Sequence, residues 1–198
     1  MIDPYIVFVG TQSVGKTTVV KELIPLLEKR YGKEVKYISE VARSVQARGF
    51  KINKEATADT QRLIEDEYKR LEDLHKDCVR VADRSVVDRF AYTLGGDVNC
   101  EGMAELMLWY SSNIPDICKG YNYIFHIPLT NDIPLTLDGV RSSDEKFRKE
   151  IDELQKNIIE TYGVKVYTLQ GTTEQRIATI LEVLEREEKN ATVIRDTN

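Results

Sequence analysis

An α/β fold, with a five-stranded parallel sheet covered by helices on both faces, is what three features of this 198-residue sequence predict. Short apolar runs alternate with longer amphipathic ones, the pattern of strands joined by crossover helices. The first run, Tyr5-Ile-Val-Phe-Val9, leads straight into the glycine-bearing turn "GTQSVGKTT" and a helical stretch. A hydrophobic content of 41% at this length supplies one proper core, so residues 1–198 read as one domain.

The elements follow in order. Strands are expected at Tyr5–Val9, Val35–Ser39, Val79–Asp83, Tyr121–His126 and Val164–Leu169. The first helix should run from about Gly15 to Arg30 and stop at Tyr31-Gly32, where glycine suits a left-handed C-cap. Residues 55–77 space Ile64, Tyr68, Leu71 and Leu74 as one helix face. Residues 99–118 carry Met103, Leu106, Met107, Leu108 and Trp109, read as a core-facing helix in preference to a base-stacking platform. Phe147, Ile151, Leu154, Ile158 and Tyr162 mark another helix, opened by a capping box in Ser142-Ser143-Asp144-Glu145. A second box, Thr172-Thr173-Glu174-Gln175, opens a last helix that buries Ile177, Ile180, Leu181 and Leu184. Periodicity is lost after Arg186, so the tail 187–198 is expected to fray.

The turn after the first strand carries the chemistry. Gly10, Gly15, Lys16 and Thr17 match G-x-x-x-x-G-K-[ST] in full, a coincidence expected on the order of once in a hundred chains of this size. Glycines at 10 and 15 let successive N–H groups point inward around phosphate oxygens, and the following helix adds its positive end. Gly10, Ser13, Val14, Gly15, Lys16, Thr17 and Thr18 are therefore the expected cradle for ATP. Lys16 brings charge to the β- and γ-phosphates, and the Thr17 hydroxyl is placed to ligate Mg²⁺.

In an open parallel sheet, ligands bind outside the carboxyl ends of the strands. Strand two ends in "YISEVAR", which puts Glu40 and Arg43 at that rim. Strand three ends in "VADRSVVDRF", which adds Asp83, Arg84, Asp88 and Arg89. Asp83 reads as the Mg²⁺-holding carboxylate, against a plain N-cap for the segment at Ser85. Glu40 reads as a general base for an attacking hydroxyl, against a helix cap. Arg43, Arg84 and Asp88 are candidate substrate ligands. A second region, "LTLDGVRSSDEKFRKEID", presents Arg141 and Arg148 on a lid, about residues 138–148, that could close over a transferring phosphoryl group; a solvated helix start is the alternative. His75 and His126 have no partner at metal-ligand spacing.

A net charge of −5 does not advertise a nucleic-acid surface, although Arg43, Lys51, Arg84 and Arg89 could form a local basic track. Cys78, Cys100 and Cys118 are odd in number and read as reduced thiols. With no long apolar run and no leader-like start, a soluble cytoplasmic protein without membrane contact is expected.

Taken together, "GTQSVGKTT", "SEVAR", "DRSVVDRFAY" and "DGVRSSDEKFR" resemble the P-loop nucleoside and nucleotide kinases, most of all the nicotinamide-riboside-kinase-like (NadR-type) domains and related small ATPase/kinase proteins of bacteria and bacteriophages. The similarity spans about residues 5–182. It implies a three-layer P-loop NTPase fold with a small arginine-bearing lid, ATP and Mg²⁺ as cofactors, and a nucleoside-like or nucleotide-like acceptor. In deoxynucleoside kinases a glutamate at the end of strand two deprotonates the acceptor, and Glu40 stands in that place; those kinases usually continue Glu-Pro, whereas this chain has Glu40-Val41. A regulator-type nicotinamide protein carries an adenylyltransferase domain ahead of its kinase, which these residues do not contain. Lid arginines of such kinases correspond to Arg141 and Arg148. Phage enzymes of this general type phosphorylate hydroxymethylated bases within DNA, which makes DNA an alternative acceptor. A regulatory ATPase without an acceptor is the remaining alternative. A GTP switch is disfavoured, because "HIPLTNDIPL" lacks the guanine-reading lysine.

Overall fold

The computed structural model describes residues 3–130 and 144–196. Five parallel strands form one sheet: β1 (Tyr5–Val9), β2 (Lys36–Ile38), β3 (Arg80–Ala82), β4 (Tyr123–His126) and β5 (Tyr167–Thr168), in the spatial order β2-β3-β1-β4-β5. Seven α-helices connect and follow them among the described residues: α1 (Lys16–Tyr31), α2 (Val41–Ala47), α3 (Ala58–Leu74), α4 (Val86–Leu94), α5 (Met103–Lys119), α6 (Glu145–Thr161) and α7 (Thr173–Asp196). This is the α/β, three-layer arrangement predicted.

The pleat explains the layers. Tyr5, Val7 and Val9 enter one core with residues of α2 to α6, while Ile6 and Phe8 enter the other with residues of α1 and α7. All five β1 residues are buried, as a central strand covered on both faces requires. Every strand lies where expected, but β2, β3 and β5 are trimmed to two or three paired residues. Backbone pairing stops once the chain bends toward the loops, although Val35, Val79 and Leu169 beside those strands remain buried.

Helix ends follow local chemistry. Gly32 caps α1 in the left-handed region and donates its N–H to the Glu28 carbonyl. Thr172 and Gln175 form the expected reciprocal box ahead of α7. The N-cap of α6 is Asp144, which accepts from the Phe147 N–H; Ser142 and Ser143 lie outside the described residues. The expected fraying after Arg186 is corrected, since α7 continues to Asp196. Glu188 accounts for the continuation by accepting from Arg30 and from the Tyr31 hydroxyl at 2.7 Å, which ties the helix to the end of α1. In α5, Met103, Leu106, Tyr110 and Ile114 are the core face, whereas Leu108 and Trp109 are exposed.

A buried ionic network braces the layer of α3, α4 and α5. Arg89 reaches Glu65 at 2.6 Å and Glu72 at 3.4 Å, and lies 4.6 Å over the Tyr68 ring. Glu65 also accepts from the Tyr110 hydroxyl at 2.8 Å. Arg89 therefore does not contribute to a basic track for DNA: it is 4% exposed and held by carboxylates of its own chain. Replacing it strands two partly buried carboxylates, so Arg89→Leu should destabilise the fold by about 3–5 kcal/mol in denaturant titration. A loss below about 1 kcal/mol would show that the network contributes little.

Candidate functional site

The phosphate loop leaves β1 at Gly10 and enters α1 at Gly15. Gly10 has φ 155°, and a Cβ built there would lie 2.5 Å from the Ile127 carbonyl oxygen, so any side chain collides with β4's continuation. Ser13 (φ 60°) and Gly15 (φ 93°) also take left-handed backbone. Basic side chains meet the loop's carbonyls in succession. Lys16 Nζ donates to the Gly10 carbonyl and, at 2.7 Å, to that of Thr11. Arg148 donates to Gln12 at 3.0 Å and Ser13 at 3.4 Å, and Arg176 to Val14 at 2.8 Å. No side chain caps α1, and no acidic residue occupies its first turn. An uncapped helix start inside such a loop is a site for phosphate.

A cavity of about 490 Å³ opens over this loop. Among its walls are Gln12 to Thr18 from the loop, Glu40 to Arg43 from the end of β2, Asp83 and Arg84 from the end of β3, and Gly171 to Thr173 with Arg176 from the turn after β5. The structure thus brings Ser13, Val14, Gly15, Lys16, Thr17, Thr18, Glu40, Arg43, Asp83 and Arg84 to one cavity. A smaller annex of about 70 Å³, sharing Tyr68 and Arg84 with it, extends toward Gln61, Asp88 and Tyr92.

Thr17 and Asp83 meet directly, the threonine hydroxyl donating to Asp83 Oδ2 at 3.0 Å. The Tyr37 hydroxyl donates to the same oxygen at 2.9 Å. Burial, and then the Asp83 charge, raise the Tyr37 pKa above its ordinary value, so it stays a donor. Asp83 caps nothing; Ser85 is the N-cap of α4. A hydroxyl and a carboxylate in contact are hard oxygen donors of the kind Mg²⁺ takes when phosphates and water complete its shell. Among the described residues no three His, Cys, Asp or Glu side chains group to hold a metal unaided.

Glu40 stands at the N-cap position of α2 with φ 60°, yet its side chain makes no cap hydrogen bond. It pairs instead with Arg43 Nε at 2.8 Å, and the carboxylate side chain is half exposed. Left-handed backbone at a glutamate is sparsely populated and costs free energy, which marks the position as held by its surroundings. Arg84 lies 4.7 Å over the Tyr92 ring, with Nη1 3.4 Å from both the Gly10 carbonyl and Asp88.

Two candidate residues do something other than expected. Asp88 is fully buried, and its carboxylate accepts from the Ser85 N–H (2.8 Å), the Ser85 hydroxyl (2.9 Å), Gln155 Nε2 (3.0 Å) and the Gly10 N–H (3.2 Å). It fixes the start of the phosphate loop from behind. Arg148 is 1% exposed and grips loop carbonyls, because Phe147 and Ile151 seat α6 in the core and carry the arginine inward. It does not stand on an open lid. Arg141 and the rest of the expected lid up to 143 lie outside the described residues. Arg176 was missed by sequence reasoning, although the strand-end rule, applied to β5 as to β1 through β3, leads to it.

Residues 5–176 match the family model described as an AAA domain. No curated protein matches the sequence. Among solved structures the chain is similar to NadR protein in complex with NAD and AMP-PNP (TM-score 0.69, 19% identity), covering 91% of this chain and 49% of that one. NadR protein in complex with NR gives a TM-score of 0.66 at 18% identity, with 91% and 51% covered. Thymidylate kinase from Candida albicans gives 0.64 at 13% identity, with 93% and 92% covered. The chain therefore spans about half the length of the NadR structures and nearly all of the thymidylate kinase. At these identities the likeness is one of fold.

Asp88→Ala removes the acceptor of four donors, the Ser85 N–H and hydroxyl, Gln155 Nε2 and Arg84 Nη1, and leaves Gly10's N–H buried without one. It should cost about 2–4 kcal/mol of stability by denaturant titration, summed over the stranded donors. A stability within about 0.5 kcal/mol of wild type would show that the loop holds itself.

Proposed function

Because the chain belongs to the AAA domain family and has the P-loop kinase fold, we propose that it is an ATP-dependent phosphotransferase acting on a hydroxyl of a nucleoside-like or nucleotide-like small molecule. The observation that carries this reading is Glu40. Its carboxylate lines the phosphate-loop cavity and caps no helix, beside Arg43 and on the same rim as Asp83. A monophosphate acceptor is already ionised and needs no base, whereas a hydroxyl must lose its proton to attack.

In this reading Glu40 accepts the proton of the acceptor hydroxyl as that oxygen bonds to the γ-phosphorus. The bond from γ-phosphorus to the bridging oxygen breaks, and its electron pair stays on ADP. Lys16 leaves the loop carbonyls for the phosphates, and Arg84 offsets charge from the acceptor side. Thr17 and Asp83 would hold Mg²⁺, which supplies charge neutralisation on the phosphates. Arg141, outside the described residues, would add a cation to the transferring phosphoryl group. The annex beside Tyr68 and Tyr92 suits the far end of the acceptor, with Gln61 as a polar contact. The soluble kinase-like fold is compatible with a cytoplasmic enzyme, and among the described residues no helix is long and apolar enough to cross a membrane.

The deciding assay incubates the protein with γ-labelled ATP and Mg²⁺ against nucleosides, nicotinamide riboside, monophosphates and DNA bearing hydroxymethyl bases. Label is expected in a small hydroxyl acceptor. Label in DNA alone would move the acceptor to a polymer, and steady ATP hydrolysis with label nowhere would favour the regulatory ATPase that the AAA domain family name brings forward.

Two substitutions sharpen the assignment. Glu40→Gln keeps size but cannot take a proton, so transfer should fall about 10²–10⁴-fold with ATP still bound; retained transfer would remove Glu40 from the chemistry. Arg141→Ala should cost about 2–4 kcal/mol in turnover, with ATP affinity changed much less. Equal losses in both would place Arg141 in ground-state binding.

A further inference from the structure

Arg176 is a buried cation of the cavity wall with an unused donor. It is 6% exposed, at the first turn of α7, and its Nη1 donates to the Val14 carbonyl at 2.8 Å. Its Nε is buried and has no hydrogen-bond partner among the described residues. Of the other buried cations, Arg89 is answered by the carboxylates of Glu65 and Glu72, whereas Lys16 and Arg148 each donate to two loop carbonyls. Burial pushes the Arg176 pKa down, and among the described residues no acidic neighbour offsets it. A guanidinium stays charged at neutral pH regardless. The apo protein therefore keeps a buried positive charge that, among the described residues, only a carbonyl dipole answers, an arrangement that costs free energy unless an anion completes it.

Position says which part of an anion this would be. The acceptor-side groups Glu40, Asp83 and Arg84 follow β2 and β3, at one side of the sheet, whereas Arg176 follows β5 at the opposite edge. It approaches the loop at Gly15, where a built Cβ would lie 3.0 Å from Nη1. Two amides at this corner, those of Thr172 and Gln175, are occupied by their own reciprocal box. We infer that Arg176 is a nucleotide-binding residue whose guanidinium contacts the diphosphate retained as ADP, not the transferred phosphoryl group or the acceptor. The inference rests on the nucleotide-binding part of the proposed function and is independent of the acceptor's identity.

The test is ADP binding by calorimetry to wild type, Arg176→Gln and Arg176→Lys, with adenosine as competitor and thermal melting of each apo protein. Arg176→Gln should weaken ADP about 10- to 100-fold, as loss of a charge-assisted phosphate contact does. Arg176→Lys should recover part of that affinity, adenosine should compete equally against all three, and the apo glutamine variant should melt no lower than wild type because a costly charge is gone. ADP affinity within threefold of wild type would overturn the inference while leaving the kinase reading intact. An equal loss for adenosine would assign Arg176 to the nucleoside and overturn it too. An apo glutamine variant that melts lower or fails to fold would make Arg176 a structural strut for Val14. A wild-type protein that binds no ADP would bring down both this inference and the proposed function.

Discussion

The phosphate loop depends on one constraint: each of its carbonyls from Gly10 to Val14 accepts from a cationic side chain of the same chain. Lys16 takes the first two, Arg148 the next two and Arg176 the last. Five carbonyls held in this way fix the orientation of the loop's peptides before any ligand arrives. Lys16 comes from α1 directly after the loop, whereas Arg148 and Arg176 come from α6 and α7, 136 and 162 residues from the carbonyls they hold. The loop is thus formed by the tertiary structure, and Asp88 closes it from behind by accepting the Gly10 N–H at 3.2 Å.

That arrangement also accounts for a contradiction in the charge. The chain carries a net charge of −5, yet the cavity over the loop gathers Lys16, Arg43, Arg84 and Arg176 around the positive end of α1. Acidic side chains are spread along exposed helix faces in pairs such as Glu67–Arg70 and Glu185–Lys189, where solvent screens them. Local field, rather than total charge, decides what a cleft binds. Arg89 shows the converse. Its position near the rim in sequence suggested a surface cation, but the helical turn carries it to the inner face of α4, against Glu65.

How much of this was legible follows from where each signal lives. Strand positions, helix positions and the Gly32 and Thr172 caps are local, and the sequence displays them. The meeting of Thr17 and Asp83 was legible because a strand-end aspartate and a threonine in the first turn of α1 have fixed places once the sheet is parallel; their contact at 3.0 Å follows. What could not be read is the rotation of each helix about its axis. Asp88 follows Asp83 by five residues and looked equally exposed, but Ser85 uses it to cap α4 and turns it into the core. Arg148 was displaced from its expected lid by Phe147 and Ile151, whose burial orients α6. The course of α7 beyond Arg186 was invisible because its anchor, Glu188 on Arg30 and Tyr31, joins residues more than 150 positions apart.

The sheet order gives the remaining groups a division of labour. β1 sits in the middle; the chain runs first to β2 at one edge, fills in β3 between them, and then crosses β1 to add β4 and β5. The reversal opens a crevice at the ends of the central strands, and the phosphate loop occupies it. Residues after β2 and β3 therefore approach a bound phosphate chain from one side, and residues after β5 from the other. On the first side stand Glu40, Arg43, Asp83 and Arg84, a set with both carboxylates and cations, able to move a proton and to answer charge. On the other side the turn from Gly171 to Thr173 and Arg176 offers hydroxyls, backbone and one cation, with no carboxylate at the cavity wall. Among the described residues, carboxylates line the cavity only on the side of β2 and β3. In the proposed transfer only the acceptor has a proton to lose, so it would approach from that side, from which the annex extends to Gln61 and Tyr92.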